Sequence, residues 1–289
     1  MTDRWAFRAL VALTIALLFC LGCLLVAPLR VVGTAISFWL WCCALMGHHL
    51  AMPVSPVSGF SLIGAISSGA LLMLMGGNSA LTVWRLGRAT RRLTCLTRTA
   101  AVPMPSVVAQ LAARLNLIGS LVIIADRTPL SFCYGLGRPR ICLSLGLIET
   151  LTEAELAAVL AHEAYHLRRR EPLRMALAIC LSRLFFFVPL LAELRDRYLA
   201  EKELAADAAA VAAAGRAPLA GAMVKLMASS KPLVWPALAA VAGMSVTAQR
   251  VDRLINPVLK SGWRPSRWSM VATLGGFSLS CLLMLTGLI

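Results

Sequence analysis

His162 and His166 stand four residues apart, with Glu163 directly after the first, in the run Ala161-His162-Glu163-Ala164-Tyr165-His166. Side chains four apart share one face of a helix, so both imidazoles can converge on a metal ion with the Glu163 carboxylate beside them. Neutral imidazoles bind Zn²⁺, a third protein ligand completes such a site, and the open fourth position holds a water. The metal lowers that water's pKa toward neutrality, and Glu163 takes its proton as it attacks an amide carbonyl. This is the layout of a zinc hydrolase. The other two of the chain's four histidines, His48 and His49, lie in an apolar stretch, so both histidines of the polar region belong to the motif.

A helix must carry these residues, and its start is written locally. Thr152-Glu153-Ala154-Glu155 is a capping box, with Thr152 as N-cap and Glu155 able to reach back to it. Arg168, Arg169 and Arg170 suit the C-terminus of that helix, and Pro172 restarts the chain. Downstream, Tyr198-Leu-Ala-Glu201-Lys-Glu203-Leu-Ala-Ala-Asp207 falls in an Ala-rich helix ending near Gly215, with Glu203 and Asp207 on one face. Glu203 can serve as the third ligand while Asp207 accepts a hydrogen bond from a ligand histidine. An ordinary charged helix surface, with Glu201, Lys202 and Glu203 in water, competes with that reading.

Before the metal helix, Ser106 to Leu115 reads as a helix and Leu121 to Ala125 as a short strand. Leu130 to Tyr134 and Arg140 to Leu145, joined by Gly135-Leu136-Gly137-Arg138-Pro139, read as a hairpin. The segment Leu130 to Ser144 can offer a sheet edge to an extended substrate, or it can be an ordinary packed hairpin.

The whole chain is 289 residues and 59% hydrophobic, with a mean hydropathy of +0.79. That places it among membrane proteins. Its 28 Lys+Arg against 13 Asp+Glu give +15, but the positive charge is spread along loops flanking apolar runs, so direct nucleic-acid binding is not expected. Nine cysteines show neither a zinc ribbon nor a disulfide framework. Apolar runs at about Phe7 to Pro28, Val31 to Met52, Phe60 to Trp84 and Trp268 to Ile289 are each long enough for a span. Arg85, Arg88, Arg91, Arg92 and Arg98 after the third run mark a cytoplasmic side, and the final run ends the chain, so no external domain is expected. The stretch Met175 to Leu191 lies between His166 and Glu203 and cannot cross once without parting the ligands, and Arg183 and Pro189 disfavour a span. An amphipathic or re-entrant segment is expected there.

Leu160-Ala-His-Glu-Ala-Tyr-His-Leu-Arg-Arg-Arg-Glu-Pro172, followed by Glu201-Lys-Glu-Leu-Ala-Ala-Asp207, resembles the membrane-embedded gluzincin peptidases. The resemblance is to the beta-lactam sensor/antirepressor peptidase family (M56), with the Ste24/HtpX-type family (M48) as its relative. It covers roughly Arg85 to Gly215 and includes Gly135-x-x-Arg138-Pro139-Arg140-Ile141-x-Leu143-Ser144, similar to a strand segment before the metal helix in these families. By that resemblance His162, His166 and Glu203 match the zinc ligands, Glu163 the catalytic glutamate, and Asp207 the carboxylate of an E-x-x-x-D motif. Ala206 stands where the sensor family often has Cys, and neither an external beta-lactam-binding domain nor beta-lactam sensing is expected.

These readings together predict a mainly α protein with about four membrane spans and a small cytoplasmic α+β zincin-like domain. Residues 1–84 form the N-terminal membrane region, 85–267 the zinc peptidase domain with a membrane-associated segment at 175–191, and 268–289 the last span. The expected function is a zinc endopeptidase, one Zn²⁺ per chain, in the cytoplasmic membrane with its active site facing the cytoplasm. Its expected partners are the bilayer and a cytoplasmic or membrane-adjacent protein. The resemblance implies regulated cleavage of a transcriptional repressor, with self-cleavage a further option. A quality-control peptidase of the Ste24/HtpX type and a catalytically silent scaffold are the alternatives.

Overall fold

The computed structural model describes residues 5–18, which form helix α1, together with 59–228 and 265–285. The chain divides into two compact units. One takes Met1–Phe7, Leu81–Cys180 and Arg195–Trp263, and the other Arg8–Ala80, Leu181–Leu194 and Arg264–Ile289.

The first unit contains a four-stranded sheet of β1 (Ala101–Val102), β2 (Leu121–Ile124), β3 (Ser131–Tyr134) and β4 (Arg140–Ser144), in the order β1-β2-β4-β3. β3 and β4 form the expected antiparallel hairpin, with Phe132 opposite Cys142, and Gly135 supplies the positive φ of 99° that its turn needs. β2 runs parallel to β4, and β1 closes the far edge antiparallel to β2. At two residues, β1 is too short to show an alternation in the sequence.

Helix α3 (Ser106–Arg114), α4 (Leu145–Thr150) and α5 (Glu153–Arg168) follow the order of the chain around this sheet. α3, β2, β4 and α5 share one core in which Val108, Leu111, Ile123, Ile141, Leu143 and Leu160 are buried. On the other face, Leu130, Phe132, Tyr134 and Cys142 pack with Leu93 and Met175. β3 is thus an edge strand whose four residues are all buried. Burial pushes the Cys142 thiol up to about 12, so it is a protonated packing group. Gly146, at the start of α4, donates its N–H to the Asp126 carbonyl at 2.9 Å, and a Cβ there would collide with the Arg127 carbonyl.

The capping box forms as expected: Thr152 Oγ1 accepts from the Glu155 N–H at 3.3 Å, and the Thr152 N–H donates to Glu155 Oε2 at 2.8 Å. Lys225 of α8 (Arg216–Ala228) also bonds Glu155 Oε2, at 2.7 Å, and with the Thr152 bonds it holds this carboxyl below the usual range. Thr152→Ala is therefore expected to cost about 1 kcal/mol, seen as a lower denaturant midpoint. An unchanged midpoint would mean the cap contributes nothing to the folded state.

After α5 the chain turns through Arg170, at φ 51°, into α6 (Glu171–Leu184), with Pro172 at a first-turn position that needs no N–H donor. α7 (Pro189–Ala214) begins at Pro189, and Gly215 ends it at φ 91°. No unbroken helix runs through Met175 to Leu191.

The polytopic membrane architecture is overturned. Among the described residues no helix is long and apolar enough to cross a membrane. The architecture is mostly helical with a small sheet. The expected span at 31–52 and part of that at 7–28 lie outside the described residues. Helix α2 (Gly59–Thr99) carries the third apolar run, in which Gly76, Gly77, Asn78 and Ser79 stand before Arg85. Helix α9 (Arg267–Leu285) opens on Arg267 and includes Ser269, Thr273 and Ser278. Polar groups of both helices engage protein backbone: Asn78 Nδ2 donates to the Arg183 carbonyl at 2.6 Å, and Thr273 Oγ1 accepts from the Leu190 N–H at 3.2 Å.

Candidate metal centre

Helix α5 presents His162, Glu163 and His166 from its buried face, and α7 presents Glu203 and Asp207. All five are buried, from 5% exposure at Asp207 to 8% at His162. The two Nε2 atoms of His162 and His166 lie 3.1 Å apart. Glu203 closes the third side, with Oε2 3.6 Å from His162 Nε2 and Oε1 3.8 Å from His166 Nε2. The structure therefore gathers the three side chains that spacing suggested as ligands.

The donor set fits a zinc ion. Ligand atoms of His162, His166 and Glu203 all lie within 4.8 Å of one another. Two nitrogens each ~2.05 Å from a tetrahedral ion stand about 3.3 Å apart, close to the spacing seen. His162 Nδ1 contacts Asp207 Oδ1 at 2.9 Å, so the carboxylate fixes the ring's orientation and turns Nε2 toward the cluster. The model of the BlaR1 peptidase M56 family matches residues 65–254, which takes in the sheet, α5 and α7. The chain belongs to the M56 peptidase family. No curated protein matches the chain. Membership in M56 makes peptidase chemistry the family expectation for this centre, and zinc its usual metal.

Two residues of this M56 centre were not picked out from the sequence. Ser131 of β3 donates its Oγ to Glu163 Oε1 at 3.1 Å. Period-two alternation in β3 puts Ser131 and Cys133 on one side and Phe132 and Tyr134 on the other, a pattern that could have flagged it. Lys202 is the second: buried rather than solvated, it sets Nζ 3.2 Å from Glu203 Oε1. Glu201 is also buried, its Oε1 accepting from Arg197 Nε at 2.8 Å and Trp5 Nε1 at 3.0 Å. The reading of Glu201, Lys202 and Glu203 as a solvated surface is thereby excluded.

The charges are coupled. Burial alone would push the His162 imidazole down, but the Asp207 carboxylate at 2.9 Å and the Glu203 carboxylate at 3.6 Å outweigh that and hold it at about 9. Burial would raise Glu203, yet the neighbouring His162 ring and the Lys202 charge hold it well below the usual carboxylate range. The folded value of His162 exceeds the unfolded 6.5, so its stabilisation is full below pH 6.5 and is lost as pH rises through about 9. Protein treated with a chelator is therefore expected to lose thermal stability across that window, and zinc, which binds the deprotonated ring, to flatten the loss. A chelator-treated melting temperature independent of pH from 6.5 to 9 would contradict this coupling.

Proposed function

We propose that this chain is a zinc-dependent endopeptidase that cleaves a protein substrate in regulatory proteolysis, with a transcriptional repressor as the substrate class. The observation that carries the reading is the convergence of His162, His166 and Glu203 beside the Glu163 carboxylate, inside the region matched by the M56 family. Zn²⁺ held by those three side chains would polarise the scissile carbonyl and make water a stronger nucleophile at neutral pH.

The chain's own groups do the rest. Glu163 accepts a proton from the attacking water and passes it to the departing amine nitrogen, so one carboxylate serves as base and then acid. Ser131, bonded to Glu163 Oε1, holds the carboxylate in one rotamer and leaves its motion small during the transfer. Asp207 keeps His162 in the tautomer that offers Nε2 to the metal. Near-complete burial of the five side chains lowers the local dielectric and strengthens each of these charge interactions.

Comparative proteomics of cells carrying the native chain or Glu163→Gln tests the reading. A protein cut only by the native chain identifies the substrate, and a DNA-binding repressor among such proteins supports the regulatory role. Identical peptide profiles from the two cell lines, with both chains expressed and zinc-loaded, would remove it.

A further inference from the structure

Lys202 is 4% exposed and belongs to the same helix as Glu203, yet the peptidase chemistry above makes no use of it. Its ammonium lies 3.2 Å from Glu203 Oε1 and 3.7 Å from Met175 Sδ. Burying an ammonium is costly, and a thioether is a weak partner, so the carboxylate must supply most of the compensation. The Lys202 charge also acts on Glu171, to which the Tyr198 hydroxyl donates.

The charge balance of the centre gives the ammonium a further meaning. Glu163, Glu203 and Asp207 bring three negative charges into one buried cluster. A divalent cation offsets two of them, and Lys202 offsets the third. The ammonium also acts on one oxygen in particular. It lies 3.2 Å from Oε1, nearer than His166 Nε2 at 3.8 Å, while Oε2 is 3.6 Å from His162 Nε2. A carboxylate that gives both oxygens to a metal fills an extra coordination position, and a catalytic zinc site needs that position open.

We propose that Lys202 is a positioning residue for the metal centre: its ammonium retains Oε1 of Glu203, so that the carboxylate meets the metal through Oε2 alone and a coordination position stays open. This inference rests on the zinc-peptidase reading. Without the ammonium, Glu203 can turn both oxygens to the metal, which would bind at least as tightly while catalysing more slowly. A lysine with a merely structural role predicts the opposite, weaker metal binding with the coordination unchanged.

Cobalt substitution in the full chain separates the two, because the visible absorption of Co²⁺ weakens several-fold as coordination rises from four to five or six. In Lys202→Met, one Co²⁺ per chain is expected with absorption per ion reduced several-fold, and kcat down tenfold or more with KM little changed. Lys202→Arg, which keeps a cation beside Oε1, is expected to recover the native spectrum. Should the Met variant fail to fold, Lys202→Gln gives the same readout with a neutral donor. A native-like cobalt spectrum and kcat in the neutral variants, or loss of their metal, would overturn the role of Lys202. A native chain that takes up no Co²⁺ or Zn²⁺ would instead overturn the zinc-peptidase reading, and the positioning role with it.

Discussion

Glu163→Gln is expected to lower the rate of peptide hydrolysis by about three orders of magnitude or more while leaving one zinc per chain. The amide keeps the size and shape of the side chain and can still accept from the Ser131 hydroxyl, which is 3.1 Å from Oε1 in the native protein. It cannot take up the proton that the attacking water must lose. The three ligand side chains are untouched, since His162, His166 and Glu203 converge without any atom of Glu163. Elemental analysis beside a fluorogenic peptide assay checks both halves of the statement. Near-native turnover in the variant would remove Glu163 from the catalytic role, and loss of zinc would make it a ligand.

The second large effect is expected at Glu203, where alanine should strip both zinc and activity, because two imidazoles alone hold zinc weakly. The instructive control is Glu201→Ala. Glu201 is as buried as Glu203, but its carboxylate bonds Arg197 and Trp5 rather than the histidines. Removing it leaves the Arg197 guanidinium short of a buried partner, so stability should fall while zinc stoichiometry stays at one per chain. If zinc followed Glu201 and not Glu203, the register of α7 against α5 would be wrong by two residues.

That register marks where local information stops. The metal helix was legible because every feature it needs is local: the capping box at Thr152 and Glu155, the i,i+4 pair His162 and His166, and the arginines at its end. The hairpin was legible for the same reason, from two apolar runs around Gly135. α4 was missed, its six residues too few to establish a helical period.

The opposite holds for α7, which is so rich in alanine that it has no apolar stripe to say which face turns inward. Glu201 and Glu203 point about 200° apart around a helix, so they cannot face the histidines together. Only packing against α5 assigns one to the metal centre and the other to Arg197 and Trp5. The burial of Lys202 against Met175 and the approach of Ser131 to Glu163 join positions 27 and 32 apart, which no periodicity relates. Hydropathy suggested membrane spans, but among the described residues no helix is long and apolar enough to cross a membrane. Hydropathy sums residue types along a segment, whereas Asn78 and Thr273 find backbone partners 105 and 83 positions away in the chain. The sequence by itself therefore determined which residues form the metal-binding helix and that two of its imidazoles share a face. The tertiary structure decided which carboxylate completes the centre, and which charge stands behind it, because both depend on how one helix is rotated against another.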